Sequence, residues 1–206
     1  MRDVVYVLVF EGFADWQVAL ALGEIRRPGD WEVRSIGFDR APVTSMSGLQ
    51  VLPDGDMREL DLDAAALLIL PGGHIWLPSQ VEKIAELAQQ VHRAGAPVAA
   101  IGEGVFAVAR AGLIDDCRHT GSWAGQIGRD APAYAGQDQY DANVLAVSDG
   151  GVITASHLGS IEFAREIIHT LDLYTSSDRE HWYRLFKHAL PPPWLATETV
   201  DVARAA

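Results

Sequence analysis

Short apolar runs alternate along this chain with longer segments whose apolar residues recur at helical spacing. Residues 4–9, 65–70 and 97–101 lack the polar alternation of a half-exposed strand, so we predict that each is a strand buried on both faces. Residues 15–26 and 160–171 have the spacing of amphipathic helices. Strands that alternate with helices predict an α/β domain whose mostly parallel sheet is covered on both faces.

The rest of the pattern predicts a flavodoxin-like or Rossmann-like three-layer sandwich with a short antiparallel excursion. Residues 31–38 form a further predicted strand, and residues 47–53 are predicted to turn back antiparallel around Gly48. An Asp-Gly-Gly turn at residues 149–151 joins two apolar runs, which predicts a hairpin. We therefore expect antiparallel strand pairs only at the edges of an otherwise parallel sheet.

Two segments of capping-box form mark predicted helix starts. The pattern Ser-x-x-Glu occurs at residues 79–82 and 177–180, with the spacing at which the two side chains satisfy each other's backbone N–H groups. The second of these helices ends at three consecutive prolines, residues 191–193. We therefore predict a single domain over residues 1–190 and a Pro-rich tail over residues 191–206.

Charge and composition exclude several classes of function. The chain has 206 residues, a formal net charge of −12 and one cysteine, Cys117. A phosphate backbone requires a concentrated basic surface, so we expect no nucleic-acid partner. No apolar run is long enough to span a bilayer and the N-terminus lacks the pattern of a signal peptide, so we expect no membrane association and a cytoplasmic location. One cysteine cannot form an internal disulfide.

Four loops are selected as candidate ligand-binding segments. In open α/β sheets, ligands bind beyond the carboxyl ends of the strands, where loops lead into helices. Residues 11–17, 71–76, 101–105 and 156–160 have this position in the predicted fold. The third loop follows a strand, contains Gly-x-Gly and opens a helix, which is the layout of a nucleophile elbow. Its backbone amides also favour an anion.

The sequences of these segments resemble a known superfamily. The elbow segment is Ala-Ala-Ile-Gly-Glu-Gly at residues 99–104, and Leu-Pro-Gly-Gly stands at residues 70–73. The first loop contains Gly-Phe-Ala-Asp-Trp at residues 12–16. Val-Ile-Thr-Ala-Ser at residues 152–156, continuing to Glu-Phe-Ala at residues 162–164, corresponds to the last strand and helix. In order and spacing these motifs are similar to those of the ThiJ/PfpI superfamily, also described as class I glutamine amidotransferase-like, over about residues 3–190.

The resemblance implies a cysteine-centred site from which this chain departs. Members typically carry a cysteine nucleophile at the elbow, a glutamate in the first loop and often a histidine nearby. Their activities include hydration or hydrolysis of small electrophiles, glyoxalase-like chemistry, peptidase activity and redox sensing. Here the three positions fall on Gly102, on Gln17 and near Gly121. Cys117 lacks the spacing to replace the elbow cysteine, so we expect no cysteine-dependent reaction.

Polar groups in the same loops are candidates for a rewritten site. We predict Glu103, His74 and His157 as catalytic residues, because a carboxyl beside one or two imidazoles can carry out general acid–base catalysis. The predicted substrate-binding residues are Asp15, Trp16, Gln17, Gly72, Gly73, Trp76, Gly102, Gly104, His119 and Trp123. No dinucleotide or phosphate-loop motif follows the first strand, so we expect no cofactor. No metal is expected either, because no helical His-x-x-x-His spacing is present.

Each candidate also has a non-catalytic interpretation. Glu103 would be favoured at the start of a helix by the helix dipole alone. His74 and His157 would be ordinary solvated loop residues, and His119 would satisfy a local backbone group. The tryptophans would serve packing, and Gln17 would be an outward-facing helix residue.

Three hypotheses on function follow from these residues. The first is a cofactor-free small-molecule enzyme of hydratase, hydrolase or lyase type, in which Glu103 transfers protons and Gln17 orients the substrate together with the backbone amides of Gly72 and Gly73. The second is a catalytically inactive family member that binds a small molecule or a partner. The third is a redox sensor that uses Cys117. The resemblance further implies a homodimer.

Overall fold

A seven-stranded sheet separates two helical layers in the computed structural model, which describes residues 2–73 and 78–196. In order across the sheet the strands are β5 (Gly55–Asp56), β2 (Glu32–Gly37), β1 (Val4–Leu8), β6 (Ala65–Leu70), β7 (Val98–Ile101), β9 (Val152–Ala155) and β8 (Ala146–Asp149). All neighbouring strands pair in parallel except β8, which forms an antiparallel hairpin with β9. The predicted mostly parallel sheet is confirmed.

The helices lie on the two faces of this sheet. They are α1 (Asp15–Arg26), α2 (Pro78–Arg93), α3 (Gly104–Arg110), α4 (Ala124–Asp130), α5 (Ser160–Thr170), α6 (Ser176–His188) and α7 (Pro193–Ala196). Short 3-10 turns occur at Met57–Glu59 and Gln137–Gln139. No helix in the described part of the chain combines the length and apolar character needed to cross a membrane. The three-layer α/β architecture is the one that the sequence predicts.

The pleat of β1 shows why the sheet is covered on both sides. Alternate residues such as Tyr6 and Leu8 pack into the core beneath α2 and α3, whereas Val5 and Val7 pack with α1 and α5. Successive side chains of a strand point to opposite faces, so an uninterrupted apolar strand requires two apolar layers. Burying each large aliphatic side chain contributes about 1.5–3 kcal/mol to the free energy of unfolding.

The antiparallel excursion forms its own small unit. β3 (Val43–Thr44) and β4 (Gln50–Val51) pair antiparallel around Gly48, as predicted. The Met46 N–H donates to the carbonyl of Phe13, and the Gly12 N–H donates to the carbonyl of Thr44. The excursion is thereby attached to the loop that follows β1.

Both predicted capping boxes were placed wrongly. Residue 79 lies inside α2, which begins at Pro78. The cap of α6 is Thr175, two residues before the predicted one: its Oγ1 accepts the Asp178 N–H at 3.2 Å and its hydroxyl donates to the Asp178 carboxylate at 2.7 Å. Thr175 has the extended backbone of an N-cap, and Ser177 is already helical. The Ser-x-x-Glu spacing alone does not identify the residue at which either helix begins.

Strand order places the ligand-binding edge between β1 and β6. The chain goes from β1 to β2 on one side of the sheet, and from β6 through β7 to β9 on the other. In open α/β sheets, ligands bind beyond the carboxyl ends of the strands at such a reversal, which here lies between β1 and β6. The loops after β1, β6, β7 and β9 therefore converge at one edge.

A buried ion pair attaches α6 to α5. Glu162 is 6% exposed, and its Oε1 lies 2.6 Å from Lys187 Nζ and accepts the Tyr183 hydroxyl at 3.2 Å. Burial by itself raises the pKa of Glu162, but the hydrogen bond and charge of Lys187, a backbone bond and Tyr183 outweigh it and hold that pKa below its ordinary value. The pair is therefore ionised in the folded chain.

We expect Lys187→Met to lower the free energy of unfolding by about 1–3 kcal/mol at neutral pH, because it leaves a buried carboxylate without its charged donor. The pKa of Glu162 is lower in the folded chain, so this stabilisation is present above the ordinary carboxyl pKa of 4.5 and is lost as the pH falls through the folded value. Urea unfolding of both proteins at neutral and acidic pH measures the difference.

Lys83→Met is the matched control, since Lys83 is exposed on α2. It should change the free energy of unfolding by less than about 0.5 kcal/mol. A Lys187→Met effect no larger than this control would show that the ion pair does not stabilise the fold.

Candidate functional site

Two backbone N–H groups at the end of β6 organise the candidate site. They belong to Gly72 and Gly73 and are called the turn amides below. The Gly72 N–H donates to Gln17 Oε1 at 2.7 Å, and the Gly73 N–H donates to Glu103 Oε2 at 3.2 Å. Three of the converging loops are therefore joined by two hydrogen bonds. In this structure the turn amides hold side chains of the protein itself.

The orientation of the Gln17 side chain is fixed by this contact. Gln17 lies in the first turn of α1 and is 2% exposed. The Gly72 N–H can only donate, so the amide oxygen must face it and the NH₂ group must face the other way. That NH₂ group lies over Gly102. The interpretation of Gln17 as an outward-facing helix residue is therefore wrong.

Gly102 forms the sharp turn between β7 and α3. Its φ of +61° is in the left-handed region, and its N–H donates to the Ala155 carbonyl at 3.0 Å. A Cβ at this position would lie 2.8 Å from Gln17 Nε2, closer than real Cβ contacts allow. Any side chain at residue 102 therefore requires Gln17 to move.

Glu103 extends from the turn before α3 toward the glycine turn after β6. The residue is partly buried, and a Cβ at Gly72 would lie 2.3 Å from its Oε2 and 2.9 Å from Gln17 Oε1. The carboxylate and the amide oxygen thus occupy the space that a side chain at residue 72 would fill. Gly104 begins α3, where a Cβ would lie 2.3 Å from the Leu70 carbonyl oxygen. These glycines permit the close packing of the loops.

His157 belongs to a second polar cluster, in the loop after β9. Its backbone N–H donates to Ser122 Oγ at 3.1 Å, and its Nδ1 lies 2.8 Å from the same oxygen. These two contacts hold the imidazole against Ser122 and fix the orientation of the ring. The ring stacks on Trp123 with centroids 5.1 Å apart, and Trp123 is 54% exposed.

Ser122 is the residue of this edge that sequence analysis missed. It precedes Trp123 in a loop without regular structure, and its partner is 35 residues away in the chain. A lone serine carries no signal of such a pairing. Only the convergence of two loops brings it to His157.

His119 lies within the core rather than on the surface of the site. It is 0% exposed, its Nδ1 is 2.9 Å from the Cys117 carbonyl, and its Nε2 is 2.5 Å from the Tyr134 hydroxyl. Burial lowers the pKa of His119 and raises that of Tyr134 to about 12. The imidazole is therefore neutral, with Nδ1 donating to the carbonyl and Nε2 accepting from the phenol.

The first loop contributes two of the predicted binding residues. Asp15 Oδ1 accepts the Ser47 N–H at 3.3 Å, which gives this carboxylate a role in holding the antiparallel excursion. Trp16 is 48% exposed. Two further predicted residues, His74 and Trp76, lie outside the described residues. In the described ranges, no group of three or more His, Cys, Asp or Glu side chains is arranged to hold a metal ion.

Cys117 has the surroundings of an unreactive thiol. Its Sγ donates to the Leu113 carbonyl at 3.4 Å. Burial and then the carboxylates of Asp149, Asp116 and Asp115 raise the pKa of this thiol. Reactive cysteines need the opposite, a lowered pKa that maintains the thiolate. The environment therefore argues against the redox-sensor hypothesis.

Comparisons with known proteins agree with this architecture. Residues 3–170 match the model of the DJ-1/PfpI family. An uncharacterized protease of Bacillus subtilis is 28% identical over 194 residues, which cover 91% of this chain and 92% of the relative. A deglycase of Thermococcus kodakarensis is 30% identical over 171 residues, covering 81% and 98%. The crystal structure of a thiJ/pfpI family protein from Bacillus anthracis superposes with a TM-score of 0.86 at 30% identity, covering 93% and 94%.

We expect Gly102→Ala to lower the free energy of unfolding by about 2–4 kcal/mol, because a left-handed φ and overlap with Gln17 add together. In a Gln17→Ala background the overlap is removed, so the cost of the same substitution should fall by about 1–2 kcal/mol. Chemical denaturation of the four proteins gives the coupling.

Gly29→Ala serves as the control for the backbone contribution alone. Gly29 has a φ of +85° and open space where a Cβ would be. It should cost about 1–2 kcal/mol. Equal costs of Gly102→Ala in both backgrounds would mean that Gln17 does not fill this space.

Cys117 is expected to react with iodoacetamide at neutral pH at least about tenfold more slowly in the folded chain than in the urea-unfolded chain. Asp116→Asn, on the surface beside it, should speed the folded-state reaction by removing one of the charges that oppose the thiolate. Intact-mass spectrometry follows the modification. Equal rates in the folded and unfolded chain would contradict the raised pKa.

Proposed function

Because the chain belongs to the DJ-1/PfpI family, we propose that it is a family enzyme whose elbow cysteine has been replaced and whose site now works by acid–base catalysis. The substrate class is a small electrophile, and the reaction is of hydratase, hydrolase or lyase type without a cofactor. Glu103 is the proton-transferring group, and Gln17 is the substrate-orienting one. Two of the relatives are named as a protease and a deglycase, which favours an enzymatic role.

The observation that carries this proposal is the fit between the altered positions. The NH₂ group of Gln17 lies where a side chain at residue 102 would project, and both Gln17 and Glu103 are anchored on the turn amides. A site that had only lost its cysteine would retain unused space at Gly102. Here the Gln17 amide group fills that space, and the Glu103 carboxylate lies with Gln17 Oε1 beside Gly72.

The proposed reaction uses these groups without a covalent intermediate. Glu103 accepts a proton from water while the water oxygen attacks an electrophilic carbon, and the Gln17 NH₂ group donates a hydrogen bond to the heteroatom that gains negative charge. The proton then passes from Glu103 to that heteroatom, so that water has added across the multiple bond. We assign His157, whose ring is oriented by Ser122 in the loop after the neighbouring strand β9, to assist this transfer.

A second function is favoured by one observation. Both turn amides are already used by Gln17 and Glu103, so they would not stabilise an oxyanion unless a side chain moved. This arrangement suits a family member that binds a small molecule or a partner without transforming it. Turnover distinguishes the two functions.

The test is turnover of a panel of small carbonyl and nitrile compounds, followed by proton NMR with wild type and Glu103→Gln. The substitution keeps the size of the side chain and removes proton transfer, so we expect the rate of any substrate found to fall by at least about 100-fold. Glu86→Gln, an exposed residue of α2, is the matched control and should leave the rate unchanged.

Retention of the wild-type rate by Glu103→Gln would contradict the assignment of Glu103. Binding of panel compounds to the wild type with no turnover of any of them would favour the second function. A homodimer and a cytoplasmic location remain predictions for this chain.

A further inference from the structure

Ser122 and His157 form a contact between a hydroxyl and an imidazole in the loop after β9. Ser122 Oγ lies 2.8 Å from His157 Nδ1, and it accepts the His157 backbone N–H at 3.1 Å. A hydroxyl within about 2.6–3.2 Å of an imidazole nitrogen is in reach of direct proton transfer, which is how serine nucleophiles are activated. Both residues are partly exposed, so the pair is not enclosed in the core.

Hydrogen bonds on the two preceding residues hold Ser122 in place. The Thr120 N–H donates to Oγ1 of the buried Thr154 at 2.9 Å, and the Tyr140 hydroxyl donates to the Gly121 carbonyl at 2.9 Å. Thr154 belongs to β9, the strand that leads to the histidine. The segment before the serine is therefore attached to the strand before the imidazole. A nucleophile fixed in this way needs little reorganisation to react with its base in contact.

The backbone N–H of His157 stabilises the charge that would develop on the serine oxygen. As a hydroxyl proton moves to Nδ1, negative charge gathers on Oγ, which already accepts this N–H. The imidazole is also oriented by stacking on Trp123, with ring centroids 5.1 Å apart. The geometry thus provides a base in fixed orientation and a donor to the charged form of the nucleophile.

A surface hollow lies next to this pair. It has a volume of about 570 Å³ and is lined by Trp123, Gly125, Gln126 and Arg129. Trp123 directly follows the serine in the chain and contacts the imidazole, so a group that lies on this indole is close to both. An indole ring packs well against flat, apolar groups. The hollow therefore suits an aryl group.

We propose that Ser122 is a nucleophile activated by His157 and that the pair hydrolyses small aryl esters. Oγ forms a bond to the ester carbonyl carbon while its proton passes to Nδ1, and the bond from that carbon to the phenolic oxygen breaks as the oxygen takes the proton. Water then attacks the acyl carbon and gives a proton to Nδ1. The bond from the acyl carbon to Oγ breaks, and Ser122 regains the proton. This activity goes beyond the proposed function, because it has a covalent intermediate and does not use Glu103.

The test is covalent labelling of the full chain with a small alkyl fluorophosphonate, which transfers its phosphonyl group to an activated serine oxygen and releases fluoride. We expect the intact mass to rise by one phosphonyl group and tandem mass spectrometry to place it on Ser122. Ser122→Ala should abolish the label. Ser177→Ala, which removes an exposed serine of α6, is the matched control and should label at the wild-type rate. No label on the wild type, or a label on another residue only, would overturn the proposal.

His157→Asn separates activation of the serine from its positioning. The asparagine amide can form a hydrogen bond with Ser122 near the place of Nδ1 but cannot accept a proton. We therefore expect the labelling rate and the hydrolysis of p-nitrophenyl acetate to fall by at least about 100-fold. A wild-type labelling rate in His157→Asn would show that the imidazole does not activate the serine, and the proposal would fail.

Labelling and hydration separate this inference from the proposed function. A label on Ser122 of a protein that turns over none of the carbonyl and nitrile compounds would leave the inference intact and remove the proposal for Glu103. Hydration that depends on Glu103, in a protein without a label on Ser122, would do the reverse.

Discussion

Hydrogen bonding by the turn amides is the interaction on which the site depends. Gly72 and Gly73 end a fully buried strand, where their N–H groups have no strand partner and require acceptors. Gln17 from α1 and Glu103 from the start of α3 provide them. The hydrogen bonds from these two N–H groups thus bring the side chains of Gln17 and Glu103 together. They also fix the orientation of each side chain at the ligand-binding edge.

The fold follows from the pattern of apolar residues because the sheet is buried on both faces. Residues 15–26 and 65–70 form elements with the bounds that periodicity predicts, since an apolar strand or amphipathic helix of this length has few alternative packings. The cap of α6 was not predictable from the Ser-x-x-Glu pattern. Thr175 and Ser177 are both capable caps, and the helix begins after Thr175, whose side chain accepts the Asp178 N–H.

The candidate site was predictable only in part. Strand order and loop positions identify the edge, and the resemblance points to Gly102 and Gln17. In the contact between them, Gln17 Nε2 lies close to where a Cβ of residue 102 would be. Such a contact depends on differences of tenths of an ångström in atomic position, which no sequence pattern contains. His119 shows the converse. Its position in a polar loop segment suggested a ligand contact. In the structure, both ring nitrogens form hydrogen bonds within the protein, Nδ1 with the Cys117 carbonyl and Nε2 with the Tyr134 hydroxyl.

The close approach of residues 17 and 102 has a consequence for how such a site can change. A Cβ at residue 102 would lie 2.8 Å from Gln17 Nε2, so a side chain there is accommodated only if the end of the Gln17 side chain moves. Glutamate has the size of glutamine, so an elbow cysteine and a first-loop glutamate, the pairing that the resemblance implies for family members, require a different placement of the side chain at residue 17. Glycine at residue 102 therefore permits an orientation of residue 17 that a cysteine-bearing elbow does not.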